Sequence, residues 1–219
     1  MQILDAVILV AVLIFSVVVH EVAHAWQARR EGDDTAERLG RITLNPIPHL
    51  DLLGSVILPG LLAWQGGIIF GWAKPVPVNP LNYREYVAGD IRVSLAGIVS
   101  NLGLAALATL VAGVVLKLST VVGPLWGTVD VLFITLDYAI FINLILAFFN
   151  LIPIPPLDGS HVVAHALPRG LADRYRELGR YGLFIVMGLI FLLPGAIDVM
   201  LSPVFFLRGL ADQFIRLWI

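Results

Sequence analysis

Five stretches of the chain contain no aspartate, glutamate, lysine or arginine: residues 6–20, 52–73, 93–116, 138–157 and 181–197. A membrane span needs about 20 mainly apolar residues, and most of these stretches are near that length. The balance of residues agrees. Hydrophobic residues make up 58% of the chain and charged residues 14%, whereas a soluble domain carries about 25% charged residues. There is too little polar surface to cover a soluble globule. In lipid, helices satisfy their own backbone hydrogen bonds. The expectation is therefore an all-α polytopic membrane protein with about four to five transmembrane helices. The chain reads as a single membrane-embedded domain over 1–219. Core spans fall near 4–28, 93–116 and 131–152, with C-terminal helices over about 178–217.

The net charge of −2 and the lack of a polybasic tail exclude nucleic acid as a partner; the partner that composition implies is the lipid bilayer. The absence of cysteine excludes disulfides and cysteine-ligated zinc. The first apolar run follows Met1-Gln2-Ile3-Leu4-Asp5 and continues into His20-Glu21. A cleaved secretory signal would start basic and end at small residues, so a retained helix is expected. The length leaves no room for an appended soluble module.

Loops rich in lysine and arginine stay cytoplasmic. Arg29, Arg30, Arg38 and Arg41 mark one such loop, Lys74, Arg84 and Arg92 a second, and Arg169, Arg174, Arg176 and Arg180 a third. The 118–129 loop has neither residue type and belongs outside. Both flanks of 52–73 then lie on one side. Its Gly54, Pro59, Gly60, Gly66, Gly67 and Gly71 suit a re-entrant or broken segment; an ordinary span is the alternative. Residues 196–219 fit a further span or an interfacial amphipathic helix.

Within the first helix, His20-Glu21-Val22-Ala23-His24 is an HExxH motif. Positions i and i+4 share a helix face, so both imidazoles can reach one cation. Glu21 flanks that face and can hold a water and take its proton. Ionisable groups at membrane depth are costly and functional, which favours a metal site over a polar cluster at a helix end. Catalytic zinc commonly has three protein ligands, so a third must come from elsewhere.

Asp158 is the strongest candidate. It ends the run Asn150-Leu151-Ile152-Pro153-Ile154-Pro155-Pro156-Leu157-Asp158-Gly159, whose prolines cannot sit in a regular helix. Irregular backbone at membrane depth lines a cavity. The competing reading is a helix cap. If 52–73 is re-entrant, Asp158 returns to the side of the membrane where His24 lies; if it crosses, the two are on opposite sides. His49, His161 and His165 are rivals. His49 reads as a surface histidine in a charged loop, and His161 as a residue near the site or, equally, a cap or loop residue. Asp137 lies at the outer end of its span. Among the amides, Asn143 reads as interhelical glue. Asn101 and Asn150 suit either glue or stabilisation of charge on a reacting carbonyl.

Together these motifs resemble the site-2 protease family, the intramembrane zinc metalloproteases of peptidase family M50. HExxH in an N-terminal helix and Pro-Pro-Leu-Asp-Gly after Asn150 match its two signatures. Residues 40–46 (Gly-Arg-Ile-Thr-Leu-Asn-Pro) and 71–80 (Gly-Trp-Ala-Lys-Pro-Val-Pro-Val-Asn-Pro) resemble its minimal prokaryotic branch. One departure is Gly97-Ile98, where relatives often have Gly-Pro. The resemblance implies one catalytic zinc held by His20, His24 and Asp158, with Glu21 as acid/base and Asn150 as a substrate contact. It further implies cleavage of single-span membrane proteins, in regulated intramembrane proteolysis, in a prokaryotic cytoplasmic membrane; the lysine and arginine pattern puts the active site toward the cytoplasm. A metal-binding transporter, or a relative that binds helices without cutting them, is the rival. Oligomeric state is not legible in the sequence.

Overall fold

A computed structural model describes residues 3–51, 54, 57, 61, 73–122, 126–192 and 194–218. The re-entrant segment expected at 52–73 lies almost wholly outside the described residues. The described elements are helical, with no strands among them. They are α1 (Ile3–Glu31), a short α2 (Thr35–Arg38), α3 (Tyr86–Val122), α4 (Trp126–Leu151), α5 (Gly159–Ala166), α6 (Arg169–Glu177), α7 (Gly182–Leu192) and α8 (Pro194–Arg216). Two 3-10 turns, Ile47–His49 and Pro80–Asn82, punctuate the long connection between α2 and α3. Three helical segments among the described residues are long and apolar enough to cross a membrane: Ile3–Glu31, Tyr86–Thr120 and Val129–Leu151. The protein is an integral membrane protein.

The three spans pack together, α1 on α3 and both on α4. On α1 the buried residues include Ser16, His20, His24 and Ala28, one every four residues. This stripe faces the bundle. Farther along, Ala105 and Ala108 of α3 and Ile140 and Leu144 of α4 form a cluster that Val204 of α8 completes. Leu201, Leu207, Ala211 and Ile215 extend the same face of α8. The C-terminal tail therefore packs along α3 and α4. Trp218 closes against Gly113, where a Cβ would lie 2.7 Å from its indole nitrogen.

α3 begins seven residues before the charge-free window at 93. Asp90 and Arg92 stay inside the helix because both find partners in the fold. Asp90 accepts from His161 Nδ1 (3.1 Å) and His165 Nε2 (2.7 Å). Arg92 donates to both oxygens of Glu31, each at 2.8 Å.

His49 is not a surface histidine. It is 1% exposed, because its Nε2 donates to the Thr43 carbonyl at 3.0 Å and its own carbonyl accepts from Lys74 N–H at 2.9 Å. The charged loop folds back on itself, which single-residue polarity does not reveal.

Candidate active site

α4 ends at Leu151, where Pro153, Pro155 and Pro156 deny it further helical donors. The chain turns and restarts as α5 at Gly159. A Cβ there would fall well under 3 Å from the Leu151 carbonyl, so the turn needs glycine. The turn aims Asp158 at α1. Asp158 holds the N-cap position of α5, yet its side chain makes no capping bond. Its Oδ2 instead lies 3.1 Å from His20 Nε2 and 3.3 Å from His24 Nε2. The two Nε2 atoms are 3.0 Å apart.

The far sides of the rings fix what these atoms can be. Asn143 Nδ2 donates to the Ala139 carbonyl (2.8 Å) and to Ser16 Oγ (2.9 Å). A carbonyl cannot donate, so Asn143 presents Oδ1 to Asn101, which donates to it from Nδ2 at 2.7 Å. Asn101 then turns Oδ1 toward His20 Nδ1, 2.6 Å away. That nitrogen must carry the proton. His24 Nδ1 likewise donates to the Val93 carbonyl at 2.7 Å. In neutral rings both Nε2 atoms are then lone pairs. Two lone pairs and a carboxylate oxygen converge, and only a cation or added protons can sit among them. Asp158 Oδ2 is buried and has no hydrogen-bond partner.

The residues present fit zinc. Bonds of about 2.0–2.2 Å at tetrahedral angles separate ligand atoms by about 3.3–3.6 Å. The observed triangle is slightly tighter, at 3.0–3.3 Å. Each histidine donates its other nitrogen's proton to a carbonyl, the usual support of a metal-ligating imidazole. His20, His24 and Asp158 form a group able to hold a metal ion.

A cavity of about 400 Å³ opens beside the triad. Glu21, Asn150 and His161 line it, together with Pro75, Val76 and Val78 of the connection before α3. Glu21 Oε2 accepts from Val76 N–H at 2.7 Å. One amide proton of Asn150 goes to Leu146 O in its own helix, at 2.9 Å. His161 pairs with Asp90 as above, and that hydrogen bond raises its pKa over the opposing effect of burial. Asn101 touches the metal group through His20, while Asn143 joins helices, as expected of glue, and also orients Asn101.

Sequence reasoning named Gly97 only in the Gly97-Ile98 departure and gave it no role at the site. A Cβ there would lie under 3 Å from ring atoms of both His20 and His24. Only glycine lets α3 come this close to the HExxH face. A small residue four positions before Asn101 in an apolar helix was the available signal. Ile98 follows within an uninterrupted helix.

The model for peptidase family M50 matches residues 8–193. The chain belongs to this family, the site-2 proteases. It is 38% identical over 187 residues to "Putative zinc metalloprotease YwhC" of Bacillus subtilis, covering 85% of this chain and 80% of that one. Two mycobacterial proteins named "Putative zinc metalloprotease Rip2" also match. The Mycolicibacterium smegmatis protein is 32% identical over 155 residues and the Mycobacterium tuberculosis H37Rv protein 34% over 153. Each match covers 70% of this chain and 54% of the relative. No solved structure matches. The M50 chain is thus an intramembrane zinc metalloprotease, and its family acts on membrane proteins in the bilayer.

Proposed function

We propose that His20, His24 and Asp158 hold the one catalytic zinc, and that Glu21 is the general base for peptide-bond hydrolysis in single-span membrane proteins. The observation that carries this reading is the convergence of three acceptor atoms within 3.3 Å inside apolar helices. Zinc supplies Lewis-acid polarisation of the scissile carbonyl and makes water acidic near neutral pH.

The chain's own groups do the rest. Val76 N–H holds one oxygen of Glu21, and the other takes the proton from water and passes it to the leaving amine. The second amide proton of Asn150 is the donor for charge developing on the carbonyl oxygen. His161, held by Asp90, and Asn101, behind His20, support the site from outside the zinc triad. A helix with side chains is about 10–12 Å across, so the substrate enters the narrow cavity unwound.

The site faces the cytoplasm in this reading. Arg29, Arg30, Arg38 and Arg41 follow the HExxH turn, and Arg169, Arg174 and Arg176 follow Asp158. Positive-inside asymmetry puts both clusters, and the triad beside them, on the cytoplasmic side of a prokaryotic cytoplasmic membrane. The cuts made there release regulators, as in regulated intramembrane proteolysis.

Cleavage of a single-span substrate in lipid vesicles tests the reading. Wild type cuts; Glu21→Gln and chelator-treated wild type do not. Persistent cutting by Glu21→Gln would remove Glu21 from the mechanism. Metal flux through Glu21→Gln vesicles without cutting by any form would favour the transporter.

A further inference from the structure

Three buried groups have no part in the hydrolysis just described: Asp33, Arg41 and His49, which are 0%, 8% and 1% exposed. Burying charge is costly unless it is well bonded. Each places at least one hydrogen bond on the segment 73–79, although Asp33 also binds Thr35 and the His49 ring binds the Thr43 carbonyl. Arg41 Nη2 donates to the Lys74 carbonyl at 2.8 Å and to the Pro75 carbonyl at 3.3 Å. The His49 carbonyl accepts from Lys74 N–H. Asp33 Oδ2 accepts from Asn79 N–H at 2.7 Å, and its Oδ1 from Asn82 Nδ2 at 2.8 Å. Between these anchors, Val76 and Val78 pack on Ala25 and Ala36.

The sequence of the segment is as telling as its anchors. It reads Pro75-Val76-Pro77. Proline has no N–H and fixes φ near −65°, and the residue before a proline is held extended. Val76 therefore carries the one backbone donor among these three residues, on backbone that cannot easily turn. That donor points at Glu21 Oε2, 2.7 Å away.

We propose that the Val76 amide is a positioning group for Glu21, presented by a proline-locked strap that Asp33, Arg41 and His49 hold across the site. The proposal rests on Glu21 being the general base. Glu21 has three side-chain torsions, and a base must meet its proton within hydrogen-bond reach. The strap restricts those torsions before substrate arrives. Val76 does not touch the reacting atoms; it acts through Glu21.

Two measurements on the zinc-loaded enzyme test this. In hydrogen exchange read by mass spectrometry, residues 75–77 contribute one exchangeable amide. It exchanges slowly in wild type and at least about tenfold faster in Glu21→Ala. In steady-state kinetics, Val76→Pro deletes the donor on backbone already flanked by prolines. It retains stoichiometric zinc and a KM within about threefold, while kcat falls roughly 10- to 100-fold. Val76→Ala keeps the donor and loses at least about tenfold less kcat than Val76→Pro. Arg41→Gln, which loosens the strap without touching Val76, lowers kcat in the same sense and decides the matter if Val76→Pro fails to fold. Unchanged exchange in Glu21→Ala overturns the clamp. So does full kcat in Val76→Pro or in folded Arg41→Gln, provided Glu21→Gln is inactive. Activity in Glu21→Gln would instead overturn the base assignment beneath it.

Discussion

At one end of the long helices, His20, His24 and Asp158 set three acceptor atoms within 3.3 Å of one another. Toward the other end, Arg208 of α8 donates to both oxygens of Asp137 at 2.9 and 3.0 Å and lies over the Phe141 ring. Both regions place ionisable groups among apolar helices. Toward the far end Arg208 and Asp137 neutralise each other. At the triad three acceptors meet instead, an arrangement that a cation or added protons would complete. The far cavity is the larger, about 670 Å³ against about 400 Å³. Size therefore points away from the chemistry; the balance of donors and acceptors points to it.

The largest effect expected on this contrast is beside the triad, at Glu21. Glu21→Gln lowers the cleavage rate by about 10²- to 10⁴-fold, the usual worth of a general base, while zinc measured by elemental analysis stays at one per chain. Gly97→Ala comes next. Its methyl cannot coexist with both rings, so zinc affinity, measured by competition with a chelator, falls more than roughly 100-fold, beyond the loss for an outer-shell change. Asn101→Leu and Asn143→Leu break the relay behind His20 and weaken zinc by about 10- to 100-fold, Asn101 more than Asn143. Interhelical hydrogen bonds in membranes average only about 0.6 kcal/mol, so helix packing should survive both changes. A matching loss of thermal stability without loss of zinc affinity would make the relay mere glue.

Asp137→Asn is expected to leave zinc affinity within about threefold of wild type, because the pair is distant from the triad and shares no partner with it. The smallest effect concerns pH. The His161 pKa is raised in the folded protein by its bond to Asp90. Its contribution to stability is therefore full below the ordinary histidine pKa and lost as pH rises through the raised value. A pH series of thermal unfolding should show this slope, and His161→Gln should flatten it.

Much of this was legible in sequence, for physical reasons. Charge is expensive in lipid, so charge-free stretches mark spans, and an HExxH inside one marks a site. Prolines after Asn150 must break a helix, and so Asp158 stood out. Helix ends were less legible. Asp90 and Arg92 looked like a boundary, yet partners 60 or more residues away neutralise them inside α3. The burial of His49 and the crowding at Gly97 hid for a related reason: both depend on which segments meet. Asn143 read as interhelical glue, but that it also fixes Asn101 behind His20 needed coordinates.

Zinc stoichiometry of purified Asp158→Ala, compared with wild type, decides whether Asp158 completes the site. If three converging acceptors make the site, wild type holds one zinc per chain and Asp158→Ala, still folded, loses it to a mild chelator. If Asp158→Ala keeps its zinc with wild-type affinity, the third ligand lies elsewhere and the account is wrong.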